Sequence, residues 1–158
     1  MSYRVSRNIE ASIIDKIKDI LTACSFTANV EKTFARVYGL SLPTVCVRVG
    51  DTDYNRAELG DNATIRNVQV LIDIFSTSDG QRLDLKDCVV EGIKRGIEYY
   101  EYTIVDGVIQ SKIRNGNLRV SALSDTLINI GVNKNELDVH DRYRHLISLN
   151  CDLGRVEV

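Results

Sequence analysis

Residues 44–75 read TVCVRVGDTDYNRAELGDNATIRNVQVLIDIF, and the way this stretch divides decides the fold. Val45, Val47 and Val49 alternate with Cys46 and Arg48, and after a polar interval Val68, Val70, Ile72 and Ile74 repeat the same period of two. Alternation of this kind marks strands with one buried face. With nothing else between them, the two runs predict an antiparallel hairpin. The interval itself, GDTDYNRAELGDN at 50–62, is thirteen residues long, where a hairpin loop normally takes about two to five. It predicts a loop projecting beyond the sheet, and a loop of that length in a compact domain usually carries function.

Helical periodicity flanks the hairpin. Upstream, Ile9, Ile13, Ile14, Ile17, Ile20 and Leu21 form one apolar stripe, with Ser6 and Asn8 as candidate N-caps and Asp15, Lys16, Lys18 and Asp19 on a solvated face. Residues 29–39, with Val30, Phe34 and Val37, suit either a short strand or a helical turn. Downstream, Ser78, Asp79 and Gly80 make a turn into a second helix over Leu83–Tyr100, with Leu85, Val89, Ile93, Ile97 and Tyr100 on one side. Gly92 and Gly96 share that side. Glycine costs a helix about 1 kcal/mol relative to alanine, so both read as points of close packing against the sheet.

The third quarter of the chain carries two turn signals, Asp106–Gly107 and Asn115–Gly116, and residues 117–141 are weakly patterned. In YRHLISLNCDL, His145, Ile147, Leu149, Cys151 and Leu153 alternate with Leu146, Ser148, Asn150 and Asp152 and predict a closing strand. The element order is α, β, β, α, β, β. The fold class is therefore α+β: a mostly antiparallel or mixed sheet with a long projecting hairpin, packed against two amphipathic helices.

Composition agrees with one domain. At 158 residues and 44% apolar content, folding can bury about 70% of the unfolded chain's surface. The N-terminus lacks the apolar core of a signal peptide and no uncharged apolar run approaches a membrane span, which predicts a soluble, non-secreted protein. A net charge of −2 with no block of five or more like charges argues against sequence-independent grip on nucleic acid. Cys24, Cys46, Cys88 and Cys151 contain no CxxC pair; each falls in an apolar pattern and reads as a buried reduced thiol, with a disulfide as the alternative.

The chemistry of an enzyme is not announced. G-x-G-x-x-G, the Walker loop, G-x-S-x-G and H-E-x-x-H are all missing from the sequence. His140 and His145 stand five apart, off-register for one helical face and on opposite faces of a strand, so they read as ordinary histidines rather than a metal or acid/base pair. Tyr99, Tyr100 and Tyr102, with only Lys94 and Arg95 as adjacent basic residues, read as the end of a helix rather than a base-stacking platform. Asp51, Asp53 and Asp61 lack the spacing and the closing glutamate of a calcium loop. No cofactor, metal or membrane is implied. What remains is the loop as a contact surface: Asp51, Asp53, Glu58 and Asp61 against Arg56 give it a charge of −3, with Tyr54 beside them. Such a surface repels DNA and lets it pass.

Four segments, ASIIDKIKDIL (11–21), LPTVCVRVG (42–50), NVQVLIDIFSTS (67–78) and LKDCVVEGIKRGI (85–97), carry a resemblance. In this order they resemble the tail terminator and neck proteins of tailed bacteriophages, over residues 8–104, with the last strand matching in kind. The resemblance implies a homohexameric ring at the head-proximal end of the tail tube, which ends tube growth and joins the tail to the head. It implies as partners other copies of the chain, the tail tube protein, the head-tail connector or stopper and a tail sheath, with DNA passing through the lumen without specific binding. Location in the virion, and in the host cytoplasm during assembly, follows from it. Against that pattern residues 1–158 form a single domain, 50–63 its projecting loop and 114–141 a peripheral insertion. Other readings are a cytosolic adaptor domain, a head-tail stopper or tube subunit, and a small enzyme using His140, Arg142 and His145.

Overall fold

The computed structural model describes residues 4–32, 34–56, 60, 63–128 and 137–154. In chain order these form α1 (Val5–Ala23), β1 (Asn29–Glu31), a 3-10 helix (Phe34–Gly39), β2 (Thr44–Arg56), β3 (Thr64–Phe75) and α2 (Asp79–Ile93). There follow β4 (Ile97–Val105), β5 (Val108–Ile128), a one-turn 3-10 helix (Val139–Asp141) and β6 (Arg144–Asp152). The strands make one mixed sheet in the order β1-β2-β3-β6-β5-β4, so the fold is α+β, as the patterning predicts.

Its centre is the hairpin read from residues 44–75. Val45 stands opposite Ile74, Val47 opposite Ile72 and Val49 opposite Val70. On the other side of β3, β6 sets Ile147, Leu149 and Cys151 against Ile72, Val70 and Val68. All but the partly buried Val49 are sealed from solvent, and α1 and α2 cover them with Ile9, Ile13, Ile17, Leu85, Val89 and Ile93. Each aliphatic side chain so buried contributes about 1.5–3 kcal/mol, which makes this layer the main source of stability.

The sheet is curled, and α1 shows why. Asn8 of α1 meets Tyr102 of β4, and Ser12 meets Tyr100. Four helical residues rise about 6 Å and two strand residues about 6.6 Å, so α1 runs along β4. A helix lying along one outer strand touches β1 and β2 at the other side of the sheet only if the six strands wrap around it.

Several elements depart from the sequence reading. α1 begins at Val5, a turn before the predicted start, so Ser6 and Asn8 lie inside it and the N-cap is Arg4, whose side chain does not cap the helix. The undecided segment 29–39 contains both candidates, a short strand parallel to β2 and a 3-10 helix. α2 is capped by Ser78, whose hydroxyl accepts from Gln81 N–H at 3.2 Å, and it ends at Ile93 instead of running to Tyr100. Gly96 takes a φ of +94°, open to few residues but glycine, and turns the chain into β4. Ile97 and Tyr100 merely extend the helical spacing by coincidence, and Tyr99, Tyr100 and Tyr102 belong to a strand. Gly92 is a close-packing point, but against α1: a Cβ there would lie 2.5 Å from Ile20 Cδ1.

The turn at Asp106–Gly107 forms as read, with φ of 51° and 78°. Asn115–Gly116 is not a turn. These residues sit in β5 at a bulge, where the register with β4 slips between Glu98 and Tyr100. Consequently 114–128, expected as part of a peripheral insertion, is sheet: residues up to Leu118 pair with β4, and Arg119–Ile128 pair with β6. Residues 129–136 of that segment lie outside the described residues.

Candidate assembly surface

Within the interval 50–62, the described residues 50–56 are strand and not loop. Residues 50–56 continue β2, and after a bulge between Val49 and Thr52 they pair with β3 down to Arg56 opposite Thr64. Polar composition hid the strand because this part of the hairpin has left the core and has no apolar face to show. The result is an arm. Asp51, Asp53, Tyr54 and Arg56 stand exposed on it, while Glu58 and Asp61 lie outside the described residues. Arg66 is the arm's tether: its guanidinium lies 5.1 Å from the Tyr54 ring centre, and Nη1 donates to Ser6 Oγ at 2.9 Å, at the start of α1. Asp51 and Asp53 have no cation at ion-pair distance among the described residues.

A second arm is formed by β4 and the first half of β5. Val105, Val108, Ile109 and Ile113 are all more than half exposed on it. Among the described residues, β5 has no strand partner over 108–117 on the side away from β4. The outer edge of β4, by contrast, is closed by α1. Asn8 Oδ1 accepts from Tyr102 N–H at 3.2 Å, and Ser12 Oγ accepts from Tyr100 N–H at 3.0 Å. Asp15 Oδ2 accepts a hydrogen bond from the Tyr102 hydroxyl at 2.6 Å, and burial together with that bond raises the phenol's pKa far above its ordinary value. An uncovered strand edge invites indiscriminate pairing. The fold therefore protects one edge and leaves another open.

The histidines do not converge. His145 is buried between α2 and β5: Arg82 Nη1 donates to its Nδ1 at 2.7 Å, and its Nε2 faces Asp125 Oδ1 at 2.7 Å. Because arginine only donates, Nδ1 must accept and Nε2–H donates to Asp125. His140 is held elsewhere, with Nδ1 2.8 Å from Asp138 Oδ1 and Nε2 2.8 Å from Leu40 O. Arg142 donates from Nε to Leu137 O at 3.3 Å. The trio weighed as an enzyme site is thus held by three separate sets of partners. Among the described residues no group of three or more His, Cys, Asp or Glu is arranged to hold a metal, and no helix is long and apolar enough to cross a membrane.

The cysteines divide. Cys46 and Cys151 are buried free thiols, as read, and burial raises them to about 11 and about 12 respectively. Cys24 and Cys88 instead form a disulfide between the end of α1 and α2, their Cα atoms 6.5 Å apart. Cys24 is the exposed C-cap of α1 and Cys88 lies on the flank of α2, so neither sits in the buried stripe that the apolar pattern suggested.

A cationic cleft was not legible in the sequence. Lys16, Lys94, Arg95, Arg114 and Arg119 line a cavity of about 450 Å³ at the junction of α1, α2, β4 and β5. Only the adjacency of Lys94 and Arg95 hinted at it; the others are brought together by the fold.

No family model and no curated protein matches the sequence. Among solved structures, a chain of the virion of a native gene transfer agent particle matches over 99% of this chain and 100% of its own length, at 14% identity and a TM-score of 0.52. At that identity the two chains share a fold, and they share it from end to end.

Proposed function

We propose that this chain is a structural protein of a phage-type virion, assembling as a ring on the head-proximal end of the tail tube, ending its growth and joining the tail to the head. The observation that carries this reading is the likeness over the full length of both chains to a component of a virion particle. Two projecting arms on one small sheet support it, because a ring is built from heterologous contacts in which one patch meets a different patch on the next copy. The partners in this reading are further copies, the tail tube protein and the head-side connector or stopper, with DNA running through the lumen. Electron microscopy of the purified protein tests it: closed rings of uniform diameter support it, and isolated single chains at every concentration overturn it.

One observation favours a second reading. Tube subunits are expected to be richer in strand than a terminator, and the described residues form six strands, among them a β5 of 21 residues. A tube subunit would stack its rings into filaments of open length, whereas a terminator stops at the ring, so the same images separate the two.

A further inference from the structure

The cationic cleft is a local inversion of charge. The whole chain carries −2, yet five cations meet there, with Glu98 as the carboxylate on the wall. Three of the five are partly offset: Lys94 by Glu91 at 2.5 Å, Arg119 by Asp152 at 3.0 Å and Arg114 by Glu98 at 3.7 Å. Lys16 and Arg95 have no carboxylate at ion-pair distance among the described residues. On the first arm, Asp51 and Asp53 are the matching case, exposed acids with no cation at ion-pair distance among the described residues.

The sheet register relates the two. Asp53 stands opposite Asn67, Asn67 opposite Asp152, and Asp152 opposite Arg119. Acid and base therefore share one row of the sheet, three strand spacings or about 14 Å apart along the curl. Patches at the same level but displaced sideways suit a head-to-tail contact between neighbouring copies, in which the arm of one meets the cleft of the next.

We propose that the cleft lined by Lys16, Arg95, Arg114 and Arg119 is the socket for the Asp51–Asp53 face of a second copy of this chain. The proposal rests on the assembly reading above and names the contact that builds it. Exposed ion pairs add little strength individually; their role here is to choose the partner and fix the register, while opposed like charges reject a wrong one. A DNA strand is the rival occupant. The cleft fits it less well, because Glu98 lies in its wall and because a grip on phosphates would hinder passage through a lumen.

The test compares association of the full-length protein by sedimentation and native mass spectrometry at low and high salt. Three variants are needed: Lys16→Glu with Arg95→Glu, Asp51→Lys with Asp53→Lys, and all four together. Thermal melts verify that each folds. Each two-site variant is expected to associate at least tenfold more weakly than the parent, the four-site variant to regain most of that loss, and an equimolar mixture of the two-site variants to form mixed pairs. The socket is overturned if the parent associates and cleft reversal changes nothing, if the four-site variant is not rescued, or if cleft reversal abolishes binding of a duplex oligonucleotide while self-association persists. A parent that never associates overturns the assembly reading together with the socket, which distinguishes the two failures.

Discussion

Ser12 of α1 accepts the backbone N–H of Tyr100 at 3.0 Å and donates its own proton to the carbonyl of the same residue at 3.4 Å. One helix hydroxyl thus satisfies both backbone groups that a further strand would have paired. With Asn8 one turn earlier, it turns α1 into the closing wall of the sheet as well as the lid of its core.

Removing that wall has a defined cost. Asn8→Ala leaves Tyr102 N–H without its acceptor in a buried position, and an orphaned buried donor costs about 1–3 kcal/mol. Ser12→Ala is expected to cost a similar amount. Urea unfolding is the measurement, and the pair of changes should also raise the tendency to aggregate through the exposed β4 edge.

Gly92 is the point where the helices meet. A methyl group there would fall within 2.9 Å of three carbons of Ile20. Gly92→Ala would normally favour a helix, yet here overpacking should destabilise the protein by about 1–3 kcal/mol. Gly92→Ala combined with Ile20→Ala should recover part of the overpacking cost relative to the sum of the two single changes, which a double-mutant cycle by denaturation would show.

The Cys24–Cys88 bridge spans a sequence separation of 64, and closing a loop of that size in the unfolded chain is worth about 4 kcal/mol in the chain-entropy account. Cys24→Ala with Cys88→Ala, or a reductant, should therefore lower the melting temperature. In the native oxidised protein at pH 8, neither remaining thiol should react quickly with a thiol reagent, since burial has pushed Cys46 up to about 11 and Cys151 up to about 12. Rapid titration of four thiols would contradict the bridge.

His140 gives the fold a pH dependence of known sign. The backbone carbonyl of Leu40 and the Asp138 carboxylate both accept from its ring, which raises its pKa above 6.5. The charged form is thus favoured in the folded state. Its contribution is complete below the ordinary imidazole value and is lost as pH rises through the raised native one. Stability measured by denaturation should decline across that window, and His140→Gln should flatten the decline.

How much of this the sequence shows depends on whether a segment has one buried face. β2 up to Val49, β3 and β6 each turn an apolar side chain inward at nearly every second position, and that alternation is plain. The first half of β5 is exposed on both faces from Val108 to Asn117, so no alternation exists to be seen. β4 was hidden differently, because Ile97 happens to continue the four-residue spacing of α2 and only the left-handed Gly96 breaks it. The edge caps Asn8 and Ser12 look like misplaced polar residues on an apolar helix until β4 lies beside them. Among the site residues, the acids of the first arm could be read from composition. The cleft could not, because Lys16, Arg95 and Arg119 converge only through tertiary structure.

The central claim is that this chain builds a closed assembly from unlike patches. Native mass spectrometry of the full-length protein, with electron microscopy of the same sample, tests it most directly. The account predicts a single closed hexameric ring whose population falls with rising salt. A monomer at every concentration, or a two-fold dimer that does not grow, would contradict it.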